Sequence, residues 1–145
     1  MKVLMTDIDG VLNLFPNPSR TGEFDKQCCI NLEMLLNKAP DLKIVISSSW
    51  RAFGLQAVRD ILKSNGIDPR RVIDVLGDEQ SVDPNDHRGY QVQCWLDRNP
   101  KVKIFAIVDD YADFGSLNDK LVQTNRYNGL TQSIAEELMA VLRIK

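Results

Sequence analysis

Short apolar runs alternate along this chain with longer stretches of helical period. Val3-Leu4-Met5 is the first run, and it stops at Thr6-Asp7-Ile8-Asp9-Gly10. Asn13 to Arg20 holds two prolines among turn formers, which predicts a loop. From Asp25 to Ala39 the apolar residues Ile30, Leu32, Leu35, Leu36 and Ala39 fit a helix that Pro40 closes. Lys43 to Ile46 is rich in β-branched residues and predicts a strand ending at Ser47-Ser48-Ser49, with Ser49 placed to cap the turn that begins at Trp50. Phe53, Ala57, Val58, Ile61 and Leu62 mark the next helix, stopped by Asn65-Gly66. Arg71 to Leu76 reads as a short strand, and Gly77 to His87 as a polar loop. Val92, Trp95 and Leu96 mark a helix ending near Asn99-Pro100, with Trp95 in the core. Lys103 to Val108 is the clearest strand and stops at Asp109-Asp110, while Leu121 to Thr124 is a short last strand. Ile134, Leu138, Val141 and Leu142 give a final helix, with Ser133 and Glu136 spaced as a capping box.

That order predicts a three-layer α/β fold: an open, mostly parallel, Rossmann-like sheet with helices on both faces. No repeat, low-complexity stretch or linker divides it, so residues 1–145 are expected to form one domain. With 43% apolar and 26% charged residues, a core can form, which excludes a disordered chain or a disulfide scaffold. A formal charge of −2 lacks the basic footprint of a dedicated nucleic-acid binder, and Arg70, Arg71, Arg98, Lys101 and Lys103 read as scattered surface cations. The longest uninterrupted apolar run, Ile104 to Val108, is far short of a membrane span, and the start does not read as a signal peptide. Cys28, Cys29 and Cys94 are expected to be free, small hydrophobes of a reducing, cytoplasmic compartment.

Ligands of open α/β sheets bind at the carboxyl ends of the strands. Three predicted strand ends here carry Asp7-x-Asp9-Gly10, Ser47-Ser48-Ser49 and Asp109-Asp110-x-x-Asp113. Each alone reads as turn or capping chemistry, but together they crowd carboxylates onto one sheet edge. Two like charges ~4 Å apart repel by about 4 kcal/mol at an effective dielectric near 20. A hard divalent cation such as Mg²⁺, with oxygen ligands and a substrate phosphate, would relieve that repulsion.

Asp7-Ile8-Asp9-Gly10-Val11-Leu12 resembles the first signature of the haloacid dehalogenase (HAD) superfamily. Ile44-Val45-Ile46-Ser47 resembles the second, Arg88 the third, and Phe105 to Asp110 with Asp113 the fourth. The resemblance implies a magnesium-dependent phosphatase in which Asp7 is the nucleophile and forms an aspartyl phosphate. It implies that Asp9 protonates the leaving group, then activates water, and offers its backbone carbonyl to the metal. It makes Asp110 the second carboxylate ligand, helped by Asp109 or Asp113. It places Ser47 and the amide of Ser48 on the phosphoryl oxygens, and Arg88 as the compensating cation where lysine is common in the family. Arg51 could reach a substrate phosphate or brace its loop, and His87 reads as a cap or surface residue.

Only 36 residues lie between Gly10 and Ser47, too few for an inserted cap domain beside the predicted helix. The chain therefore resembles the capless members, with a flap at Asn13 to Phe24 and a small lid at Gly77 to His87. An open site implies a large phosphorylated substrate, a nucleic-acid end or a phosphoprotein; a small phosphate ester or nucleotide is the alternative. Ser47-Ser48-Ser49-Trp50-Arg51 also resembles small domains of this superfamily associated with RNA repair. Two other classes use similar residues: a phosphoacceptor module of the receiver type and a non-catalytic phosphate-binding domain. The receiver pattern needs its aspartate on a middle strand, whereas the third strand here ends in Leu76-Gly77. Nothing in the sequence sets the oligomeric state.

Overall fold

In the computed structural model, which describes residues 1–82 and 87–145, five strands form one parallel sheet in the order β3-β2-β1-β4-β5. The strands are β1 (Lys2–Thr6), β2 (Leu42–Ile46), β3 (Val72–Val75), β4 (Ile104–Asp109) and β5 (Leu121–Gln123). The helices are α1 (Lys26–Lys38), α2 (Leu55–Ser64), α3 (His87–Arg98) and α4 (Gln132–Val141). Thr6 pairs with Ile46 on one side and Val108 on the other, so β1, β2 and β4 end level with one another.

The two-residue alternation of β1 divides the core. Leu4 faces a cluster shared with Leu32, Leu35, Val58, Leu62 and Leu138, from α1, α2 and α4. Val3 and Met5 face a second cluster with Val92 and Trp95 of α3 and with Phe114. The expected three layers are therefore present, and no inserted cap domain interrupts the described residues. No helix among the described residues is long and apolar enough to cross a membrane.

Several local expectations change. The capping residue of α4 is Thr131, whose hydroxyl accepts from the Ile134 amide, so Ser133 lies inside the helix. Likewise Ser48, not Ser49, caps the 3₁₀ turn Ser49–Phe53, accepting from Trp50 N at 3.2 Å. Phe53 belongs to that turn and not to α2, and it is exposed. Ile30 is also exposed, because α1 buries Cys28, Cys29, Asn31, Leu32, Leu35 and Leu36 instead. Arg71 is not a solvated cation. Its guanidinium donates to the carbonyls of Leu36, Ala39 and Leu42, the end of α1 and the start of β2.

Trp95 is in the core as expected, with Nε1 donating to Asp74 at 2.8 Å. The three cysteines are free, and burial pushes the thiols of Cys28 and Cys29 up to about 12 and about 11. Of the lid expected at Gly77 to His87, residues 83–86 lie outside the described residues. His87 starts α3, and its Nδ1 accepts from the Ser81 amide at 3.0 Å.

Candidate active site

The backbone continues its sheet-like bonding just past the strands. Asp7 N donates to Val108 O, Ser47 N to Thr6 O, and Thr124 N to Asp109 O. These bonds bring the acidic and serine motifs to one edge, at the point where neighbouring connections leave β1 and β4 in opposite directions. Asp7, Asp109 and Asp110 each present a carboxylate oxygen within 4.8 Å of the others. Asp7 and Asp109 are buried and Asp110 is partly buried.

Gly10 makes that approach possible. Its φ of 85° favours glycine, and a Cβ there would lie 2.4 Å from Asp110 Oδ2. Gly10→Ala is expected to cost about 1–2 kcal/mol from the left-handed backbone alone, or a Tm loss of roughly 3–6 °C. It should also displace Asp110, so a thermal melt paired with a magnesium titration would show both losses.

Arg88 supplies the nearest cation, with Nη1 2.7 Å from Asp109 Oδ2 and 3.9 Å from Asp7 Oδ2. Its guanidinium lies 4.9 Å from the centre of the Tyr111 ring. Asp7 Oδ1 accepts from Ile8 N at 2.8 Å, and Asp109 Oδ1 from Tyr111 N at 2.9 Å. These contacts do not neutralise the cluster. Burial, reinforced by the Asp109 charge, pushes the Asp7 carboxyl up to about 8. Burial also pushes Asp109 up to about 6, against the pull of Arg88. An all-oxygen group that holds a proton this tightly for want of a stronger counter-charge fits a hard divalent ion.

Asp9 has a different setting. Its Oδ1 accepts from Asn13 Nδ2 at 2.8 Å and from Trp50 Nε1 at 3.0 Å, which holds the carboxyl apart from the three-acid cluster. Ser47 Oγ is buried and has no partner among the described residues. Arg51 braces its loop: it donates to Ser47 O at 2.9 Å, to Asp78 at 3.1 Å and to Gln91 at 3.2 Å. Asp113 is exposed and caps Gly115 N, so the structure does not bring it into the cluster.

Two residues escaped the sequence reading: Asn13, which fastens Asp9, and Arg126, which places Nε 3.4 Å from Asp110 Oδ2. Trp50 stood in the Ser47 to Arg51 stretch, but its bond to Asp9 was not expected. Asn13 left a signal, four positions after Asp9 in the turn that Gly10 opens.

The family described as the HAD domain in Swiss Army Knife RNA repair proteins matches residues 3–135. The chain belongs to that family. Comparisons with curated proteins and with solved structures give no match. The matched residues of this HAD domain contain every acidic residue of the cluster. Membership places it, at superfamily level, among phosphatase-type hydrolases.

Proposed function

We propose that this HAD domain is a magnesium-dependent phosphohydrolase that works through an aspartyl phosphate on Asp7. The observation that carries the reading is the unequal setting of Asp7 and Asp9, one inside the charged cluster and one held outside it. Asp7 would attack phosphorus while the bond to the leaving oxygen breaks and Asp9 gives that oxygen its proton. Asp9 would then take a proton from water, whose oxygen attacks the same phosphorus and frees Asp7 and inorganic phosphate.

Arg88, beside Asp7, and the unpartnered Ser47 hydroxyl would meet phosphoryl oxygens, with the amide of Ser48 assigned the same work. Asp7, Asp109 and Asp110, with the Asp9 carbonyl, would hold the magnesium ion, which supplies charge stabilisation for the phosphoryl group when bound. The family's description favours a nucleic-acid end over a phosphoprotein as the source of the phosphate. A cytoplasmic location is part of the same reading.

Phosphate release from an aryl phosphate is expected with Mg²⁺ and not with a chelator. Calorimetric titration should find one Mg²⁺ site, weakened roughly tenfold or more in Asp110→Asn. A protein that binds phosphate without releasing it would instead be a phosphate-binding domain.

A further inference from the structure

A cleft of about 390 Å³ opens beside Asp9, lined by Ser19, Arg20, Ser49, Trp50 and Phe53 among others. Phe53 is its unusual member. The ring is 67% exposed, although its neighbours Trp50 and Phe24 are buried. Its centroid lies 5.8 Å from that of Trp50, and Trp50 in turn meets Phe24 edge-on at 5.4 Å. Trp50 cannot turn freely, because its Nε1 is bonded to Asp9. Phe53 therefore stands on a fixed aromatic base with much of its surface in water, and the exposed cation of Arg20 lines the same cleft.

The direction of the reaction gives this cleft a tenant. An acid that protonates the leaving oxygen must sit on the leaving-group side of phosphorus, and Asp9 lines the cleft. Whatever is esterified to the phosphate is thereby directed toward Phe53. A serine or threonine ester has no flat π face to offer there. A nucleotide does, and aromatic rings accept every base because stacking is indifferent to base identity. Arg51 is engaged with Ser47, Asp78 and Gln91, which leaves Arg20 as the cleft's cation for a neighbouring backbone phosphate.

We propose that this cleft is a nucleobase subsite, in which Phe53 stacks on the base of the nucleotide carrying the scissile phosphate and Arg20 meets the adjoining backbone. The proposal rests on the phosphatase reading only for the side on which the leaving group lies. A free nucleotide and a nucleic-acid end share the base, but only the latter has a further phosphate for Arg20.

The test measures binding in an Asp7→Asn background with Mg²⁺, so that turnover plays no part. The probes are oligoribonucleotides with a terminal phosphate, one set normal and one with an abasic terminal residue. The normal set is expected to bind roughly 10- to 100-fold more tightly than the abasic set. Adding Phe53→Ala should close that gap, while Phe53→Trp keeps it. Arg20→Ala should weaken the oligonucleotide and leave the nucleoside monophosphate unaffected; equal weakening of both would overturn the assignment of Arg20 to the adjoining backbone, since it would put Arg20 on a group the two share. Equal affinity for normal and abasic probes, no binding of either, or tighter binding of a phosphotyrosine peptide would overturn the proposal. Loss of phosphate release from an aryl phosphate would overturn the phosphatase reading alone, since the binding gap does not depend on turnover.

Discussion

Asp7→Asn is expected to abolish both phosphate release and the covalent phosphoenzyme, whereas Asp9→Asn is expected to lose steady-state turnover but still accept phosphate from an ester with a good leaving group. The two residues are one position apart in sequence, yet their surroundings differ. Asp7 lies in the three-carboxylate cluster beside Arg88, and Asp9 is turned toward Asn13 and Trp50. Removing a nucleophile leaves no alternative covalent route, so a loss of roughly 10⁴-fold or more is expected for Asp7→Asn. Removing an acid and base costs about 10²- to 10⁴-fold, and the first half of that cost shrinks when the leaving group departs without help. Rapid-quench mass spectrometry of the peptide containing Asp7 separates the cases. An adduct in Asp7→Asn, or full turnover by Asp9→Asn, would refute these roles.

Magnesium affinity is expected to climb close to tenfold per pH unit from about pH 6 to pH 8 and then to level off. In the metal-free protein the Asp7 carboxyl is raised to about 8, chiefly by burial and then by Asp109, so below that pH a proton occupies the place where the ion would bind. Magnesium must displace it, and proton release should accompany the titration. Below pH 6 a second proton, on Asp109, steepens the dependence. The same shift acts on stability with a definite sign. A carboxyl whose folded value lies above its unfolded value of about 3.9 binds its proton more tightly when folded, so the metal-free protein loses stability as pH rises from about 4 toward 8. Magnesium should remove that loss. Thermal melts across the range, with Mg²⁺ and with chelator, check both statements; parallel curves would contradict them.

The centre of the sheet was legible because β1, β2 and β4 are short apolar runs that stop at the acidic or serine residues which end them. Asp7 and Asp110 could be placed together from sequence, since parallel strands that end level bring their following residues to one edge. Capping was less legible for a specific reason: Thr131 and Ser133 are both good caps two positions apart, and the choice is made by where the backbone turns. Phe53 fitted the period of α2 and was drawn out of it by the 3₁₀ turn ending at Gly54, whose φ is 91°. Arg71 and Arg126 were opaque because their partners are remote. Arg71 reaches carbonyls 29 to 35 positions away, and Arg126 reaches a carboxylate 16 positions away. Helical or strand period has nothing to say about such pairs.

The side chain of Asn13 reaches two places at once. Its amide donates to Asp9 Oδ1 and to the Ser19 carbonyl, while its own oxygen accepts from the Ser19 amide. Ser19 also anchors the next turn of the flap, its hydroxyl accepting from the amides of Thr21, Gly22 and Glu23. The loop over the cleft and the carboxyl beneath it are therefore latched through a single residue. A deletion or cut in this loop would do more than uncover the cleft: it would release Asn13 from Ser19 and so loosen one of the two donors that aim Asp9. Any kinetic defect in such a variant would mix loss of grip on the substrate with misdirection of a proton, and Asn13→Ala, although it keeps every loop residue from 14 to 24 in the chain, would undo both fastenings together.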